Sequence, residues 1–324
     1  MKPVQGLLSA VALCVASAVI SGAAVAQTYP DRPITWVVPS SAGSGFDVIS
    51  RIITPKLSEV LGQTVVVQNI AGAGATVGAT TVAEAKPDGY NILLVNANHT
   101  AAEALYKDLK YNLIESFDPI VRFTNSYHVL VVRKDLEAQN LAELIEMAKK
   151  DPGGLDYASA GVGSVTFMCT EIFKVAAGIE LTHIPYAGGG PAMASLVAGE
   201  TDFYGAPYST AKPFIQEGTV RALAMTSPER VSFEPDIPAA SETVPGYQFM
   251  SWYGLVVPKG TPEDIRGKIR TALAEALADP AVKKPLADLG FEPIDEGPEE
   301  FAAFLKNEVD VTKKIVEDAG IQPQ

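Results

Sequence analysis

From Tyr29 onward, short apolar runs alternate with stretches whose apolar residues recur every three to four positions. That alternation predicts an α/β fold. The strand-like runs are Ile34–Val38, Val65–Gln68, Ile92–Val95, Pro119–Thr124, His128–Val132, Asp156–Ala158, Leu181–Ile184, Phe203–Ala206, Ala222–Met225 and Ser251–Val257. The helical ones are Val48–Leu61, Thr76–Ala85, Leu141–Lys150, Val165–Ala177, Pro191–Ala198, Thr210–Gln216, Pro262–Ala278, Ala281–Asp288 and Pro298–Asp318. Thr261 is predicted to cap the helix that Pro262 opens. Two strand runs meet at Asn125-Ser126-Tyr127, and Ser251–Val257 has no helix of its own beside it. At these two places we expect the chain to cross between two lobes, one formed by residues 27–124 with 251–324, the other by 125–250.

One stretch in each lobe has the same grammar. After Ile34–Val38 comes Pro39-Ser40-Ser41-Ala42-Gly43-Ser44-Gly45-Phe46-Asp47, and then a helix. After Asp156–Ala158 comes Ser159-Ala160-Gly161-Val162-Gly163-Ser164, and again a helix. A small-residue turn from the carboxyl end of a strand into a helix leaves backbone N–H groups unpaired, which suits an anion. In open α/β sheets ligands sit beyond the carboxyl ends of the strands. Two such loops facing each other would clamp a carboxylate. Asp47 is expected to pin its loop or cap its helix, not to touch an anion.

The remaining candidates are weaker. His99 follows the Ile92–Val95 strand and is a candidate contact, and Tyr204, Pro207 and Tyr208 are candidate walls after the Phe203 strand. His128 reads as a core residue, while His183 and Tyr186 are placed to line the second lobe. The run Gly72-Ala73-Gly74-Ala75-Thr76-Val77-Gly78 is spaced G-x-G-x-x-x-G, unlike a dinucleotide fingerprint, and reads as close helix–strand packing with a place on the cleft rim. No histidine pairs with other ligand-type residues at metal-binding spacing, so neither a metal nor a cofactor is expected. None of Ser41, Ser44, Ser159 or Ser164 sits in a G-x-S-x-G elbow, which argues against a hydrolase.

Composition narrows the setting. Lys2, an apolar stretch from Leu7 to Ile20 and Ala24-Val25-Ala26 read as a cleavable signal peptide over residues 1–26, giving export to the periplasm. Its removal leaves Cys169 as the single cysteine, so no intramolecular disulfide is available and Cys169 reads as a small buried hydrophobe. With 324 residues and 47 % apolar content, two lobes can each bury a core. The net charge of −13, with no basic block, excludes nucleic acid as the expected partner. It also means that bulk attraction does not bring in an anion.

Taken in order, several short motifs resemble one family. They are Tyr29-Pro30-Asp31-Arg32-Pro33-Ile34, Val37-Val38-Pro39 with its glycine loop and Asp47, Gln68-Asn69 with Gly72-Ala73-Gly74, Pro87-Asp88-Gly89-Tyr90 and Phe117-Asp118-Pro119. They continue through Tyr157-Ala158-Ser159-Ala160-Gly161, Gly163-Ser164, Ile184-Pro185-Tyr186, Arg221-Ala222-Leu223-Ala224, Val244-Pro245-Gly246-Tyr247 and Trp252-Tyr253-Gly254-Leu255. Over essentially the whole chain beyond residue 26, the sequence is similar to substrate-binding receptors of tripartite tricarboxylate transporters, the Bug family. The resemblance implies a two-lobed, type II-like periplasmic binding protein (a Venus flytrap), each lobe a mixed sheet flanked by helices, with two crossover segments. It implies a monomeric, non-catalytic receptor holding a di- or tricarboxylate, or an aromatic or apolar carboxylic acid, between Ser40–Asp47 and Ser159–Ser164. Its partners would be the integral membrane subunits of a transporter or, in a signalling variant, a sensor kinase. One departure bears on the ligand: Phe46 stands where family members carry a small hydroxylated residue. Facing the cleft, its ring would favour an aromatic or partly apolar acid; the other orientation points into the lobe.

Overall fold

The computed structural model describes residues 29–318, so the expected signal peptide and its cleavage after Ala26 lie outside the described residues. Among the described residues ten strands form one curled mixed sheet, with helices on both faces. In chain order the elements are β1 (Ile34–Val38), α1 (Gly45–Leu61), β2 (Val65–Asn69), α2 (Thr76–Ala83), β3 (Asn91–Val95), α3 (Ala97–Leu105) and β4 (Phe117–Arg133). There follow α4 (Leu141–Lys150), β5 (Asp156–Ser159), α5 (Val165–Ala177), β6 (Thr182–Pro185), α6 (Gly189–Ala198), β7 (Phe203–Pro207), α7 (Tyr208–Gln216) and β8 (Val220–Met225). The chain ends with β9 (Met250–Pro258), α8 (Glu263–Ala278), α9 (Pro280–Asp288), β10 (Phe291–Glu296) and α10 (Pro298–Asp318).

The long strand β4 joins two halves of the sheet. Its first part, through Tyr127, pairs antiparallel with β9 and β10, while parallel β2, β1 and β3 extend the same half beyond β9. From His128 on it pairs with β7 and β8, and parallel β5 and β6 follow β7. Each half carries helices on both faces, as expected of a two-lobed α/β fold.

Alternation along the strands explains the layers. Ile34, Trp36 and Val38 face α1 and α8 and pack with Ile49, Ile53, Leu57 and Ile269; Val37 faces the other side, with Ala79, Trp252, Phe301 and Leu305. In the second lobe Leu130 and Val132 point to Tyr157, Phe167 and Phe173, and Val129 and Val131 to Met193, Leu196 and Tyr204. The Trp36 indole donates to Ser50 Oγ at 2.8 Å, so burying this large ring leaves no orphan N–H.

Two local expectations are corrected. Asn125-Ser126-Tyr127 is not a break: it runs within β4 and pairs with both β9 and β10. Thr261 does not cap α8; its hydroxyl donates back to the Pro258 carbonyl at 2.7 Å, and the helix begins at Glu263. A further helix, left unassigned from sequence, follows β3: α3 opens with a capping box in which Asn96 Oδ1 accepts from Asn98 N–H and His99 Nδ1 accepts from Asn96 N–H.

Candidate functional site

Parallel β1 and β2 end side by side in the first lobe, and parallel β5 and β6 do so in the second. The turns leaving these strands meet around a cavity of about 310 Å³. Its walls are Pro39 and Ser40 from the first loop, Ala71–Ala75 after β2, Asn98 and Tyr106 of and just after α3, Ala160–Val162 from the second loop, and Tyr186–Gly188 after β6. No Lys, Arg, His, Asp or Glu is among the lining residues.

The first loop is held from beneath. Asp47, buried at the start of α1, accepts from Gly43 N–H at 3.0 Å, Arg51 Nε at 2.9 Å and Asn69 Nδ2 at 3.0 Å. Burial opposes its charge, but the bonds from Arg51, Gly43 and Asn69 outweigh it and hold the carboxyl below its usual range. Asn69 also donates to the Ser40 carbonyl at 3.0 Å, tying the end of β2 to the cavity wall. Ser44 caps α1 by accepting from Asp47 N–H, and Ser41 Oγ is buried without a hydrogen-bond partner.

The second loop is built the same way. Ser164 caps α5 by accepting from Phe167 N–H at 3.2 Å, and Thr166 Oγ1 accepts from Ala160 N–H at 2.9 Å. Ser159 Oγ accepts from Gly161 N–H at 3.0 Å and lies 2.6 Å from His183 Nε2. Burial lowers the His183 pKa, and in the neutral tautomer protonated at Nδ1 its Nε2 accepts a hydrogen bond from the Ser159 hydroxyl. The ring stacks on Tyr157, 4.7 Å away. This serine–histidine contact escaped the sequence reading, yet Ser159 is fully buried and its oxygen already holds the loop N–H. The pair therefore shapes the turn instead of presenting a nucleophile. Among the described residues the N–H groups of Ser41, Ala42, Val162 and Gly163 donate to no protein acceptor, and of the four only Val162 belongs to a cavity-lining residue.

Of the residues singled out from sequence, Ser40, Ala160, Gly161 and Val162 line the cavity. Ser41, Ala42 and Gly43 lie against Gly188 and Gly190 across the cleft. Ser44, Gly45, Asp47, Ser159 and Ser164 support the loops, and Gly163 packs on Leu105 and Tyr106. Phe46 takes the inward orientation: it is buried in the first lobe, edge-on to Tyr253 at 5.4 Å and His99 at 6.2 Å. His99 is likewise buried, with its pKa pushed down to about 4 by desolvation, because it serves the α3 capping box. Tyr204 is fully enclosed, Pro207 packs near Gly45, and Tyr208 is buried and donates to Glu234. None of Phe46, His99, Tyr204, Pro207 and Tyr208 lines the cavity.

The glycine run expected at the cleft rim supplies a whole wall. Ala73 and Ala75 have φ of 43° and 87°, alternating with Gly72 at 137° and Gly74 at 63°. A left-handed alanine costs roughly 1–2 kcal/mol. Packing holds the bend in place: a Cβ on Gly78 would stand 2.8 Å from Pro39 Cβ, so α2 presses directly on the first loop. The close packing read from Gly78 and the cavity wall at Ala71–Ala75 are two ends of one segment. Since β2 runs parallel to β1, the strand-end rule that found the first loop applies equally here.

The family model described as tripartite tricarboxylate transporter family receptor matches residues 49–321. A UPF0065 protein of Agrobacterium vitis is 35 % identical over 315 residues, covering 96 % of this chain and 91 % of that one. Among solved structures, the periplasmic binding protein BugD superposes with a TM-score of 0.89 at 36 % identity, covering 91 % of this chain and all (100 %) of that one. MatC from Rhodopseudomonas palustris with bound malate gives 0.84 at 33 %, with coverage of 89 % and 100 %. A second R. palustris protein, solved with adipate, gives 0.87 at 31 %, with coverage of 91 % and 100 %.

Proposed function

This chain belongs to the tripartite tricarboxylate transporter receptor family, and from that premise we propose that it is a periplasmic, non-catalytic receptor. It captures a small carboxylate between its lobes and delivers it to the membrane subunits of a tripartite transporter. The observation that carries this is the cavity between the two strand-to-helix loops, walled by turn backbone and free of charged side chains. Recognition of an anion there rests on oriented N–H groups, the Ser40 and Asn98 side chains and bridging water. The chain's own acidity adds no attraction. Among the described residues no helix is long and apolar enough to cross a membrane.

The lining narrows the ligand further. Ala71, Ala73, Ala75 and Val162, with the rings of Tyr106 and Tyr186, make much of the wall apolar. A second or third carboxylate would meet no cation, and burying it without one is costly. The cavity of about 310 Å³ holds the equivalent of roughly ten waters. The ligand we favour has one carboxylate and an apolar or aromatic body of that size. Malate and adipate, found in two family neighbours, belong in the same test as benzoate, hexanoate and citrate. In a thermal-shift panel a ligand at a hundredfold excess over its Kd stabilises by roughly 2.7 kcal/mol. If no carboxylate shifts the melting curve, the receptor reading fails; if citrate exceeds every monocarboxylate, the narrower assignment fails.

A further inference from the structure

The helix α3 sits where the lobes meet. It follows β3 of the first lobe, yet Ala101 and Leu105 pack into the core of the second, against residues of α5 such as Phe167 and Met168. Two hydrogen bonds cross beside them. Asn98 Oδ1 accepts from Val165 N–H at 2.6 Å, and Tyr106 OH donates to the Val162 carbonyl at 3.0 Å. Val165 is the first residue of α5, whose opening N–H groups have no acceptor within their own helix. Ser164, the cap of that helix, takes up only the N–H of Phe167. Asn98 is thus a second cap for α5, supplied by the opposite lobe and buried in doing so.

The other side of the cavity is shaped to allow the same approach. A Cβ on Gly188 would lie 2.3 Å from Ser41 Oγ, and one on Gly190 would lie 2.3 Å from the Ala42 carbonyl oxygen. The first loop lies on bare backbone there, and any side chain at those glycines would hold the lobes apart.

We propose that Asn98, assisted by Tyr106, is a positioning residue that latches the two lobes together through protein–protein contacts alone. The closed arrangement is then substantially populated before a ligand binds. This deepens the receptor reading and rests on it: the fraction already closed sets how far the apparent affinity falls below the intrinsic one. A carboxylate near Asn98 would gain from a site whose walls are already in place.

The test contains no ligand. Spin labels attached through Glu59→Cys on α1 and Lys149→Cys on α4, both exposed, report the interlobe distance by pulsed electron spin resonance. Cys169 is buried, with its thiol pushed up to about 12, and stays unlabelled. The unsubstituted latch is expected to give a dominant short distance. Asn98→Leu should lower the closed-to-open ratio about tenfold, the worth of one buried hydrogen bond. Asn98→Asp should restore the short distance, because its carboxylate accepts the Val165 N–H and suits a helix N-terminus. Tyr106→Phe should give a smaller loss. Gly188→Ala should favour the long distance with Asn98 intact. A single long distance in the parent protein, or an unchanged distribution in Asn98→Leu, overturns the proposal. A null carboxylate panel would leave these distances standing, so the two readings fail separately.

Discussion

Replacing Asp47 by alanine removes the group that holds three parts of the first loop at once. Its carboxylate receives one backbone N–H, one guanidinium N–H and one side-chain amide. Hydrogen bonds to a buried charge are worth about 1.5–3 kcal/mol each, but the substitution does not forfeit three full bonds. Arg51 is more than half exposed and is rehydrated on release, so its ion pair adds at most about 1 kcal/mol. The Gly43 N–H, in an exposed turn, also regains water. The loss recovered least lies at half-buried Asn69, whose Nδ2 then keeps only the Ser40 carbonyl. The acidic residue in the first turn of α1 is lost as well, worth about 0.3–1 kcal/mol. Together these predict a loss of about 2–4 kcal/mol for Asp47→Ala, and roughly half for Asp47→Asn, which keeps a neutral acceptor. Urea denaturation at pH 7 measures both, and the melting temperature should fall by roughly 4–10 °C for the alanine. The sign with pH is fixed, because the folded-state pKa lies below the unfolded value. The advantage of Asp47 over Asn is present at neutral pH and disappears only as the pH falls through the folded pKa, below the usual carboxylate range. An Asp47→Ala protein within about 0.5 kcal/mol of the parent would refute the pinned-loop account.

The glycines supply a paired prediction. Gly78→Ala should destabilise by about 1–2 kcal/mol, since its Cβ would meet Pro39 and the Ile70 carbonyl at 3.0 Å or less, whereas Gly267→Ala on open α8 surface should stabilise by up to about 1 kcal/mol. Equal urea midpoints for the two variants would show that α2 does not press on the loop. Acid should also act through the buried histidines. Desolvation lowers His99 to about 4 and His128 to about 3, below the usual 6.5. Stability is then full above pH 6.5 and declines below it by about 1.4 kcal/mol per pH unit for each, as the unfolded chain binds protons the folded one refuses. A flat urea midpoint between pH 6.5 and 5 would contradict this.

The elements that carry their own stripe and cap were the ones legible in sequence. Leu141–Lys150 and Val165–Ala177 pack one apolar face on the second lobe and begin at Asn140 and Ser164, whose side chains accept from their first turns. The paired loops were legible for the same reason, because a strand, small residues and a capped helix are local signals. α3 had no such stripe. Asn98, His99, Thr100, Ala101, Ala102 and Leu105 are all buried, because the helix is wedged between lobes with protein around most of its surface. A helix covered on several sides shows no amphipathic period. β10 was hidden by the opposite feature: Phe291-Glu292-Pro293-Ile294-Asp295-Glu296 carries three acids and a proline, which a sheet tolerates on a strand paired along one side only.

The site divides along the same line. Pattern alone located the loops that could face a ligand, but which atoms reach it depends on how two lobes meet, and no window of sequence holds both. Phe46 makes the point. Its place before Asp47 suggests a specificity residue, yet position two of α1 turns its ring toward Tyr253 and His99, inside the lobe. Its departure from the family pattern is therefore answered within the first lobe, and the wall facing the ligand comes from elsewhere. Beside Ser40 and Ala160–Val162 of the two loops, the cavity is lined by Ala71–Ala75, Asn98 and Tyr106, and Tyr186–Gly188, segments far apart in the chain. They are brought together because parallel β1 and β2 end side by side, β5 and β6 do the same, and α3 reaches across from one lobe to the other. The proposed site thus makes ligand choice a property of the lobe interface, and with the proposed latch, substitutions on α3 should change affinity through closure as well as through contact.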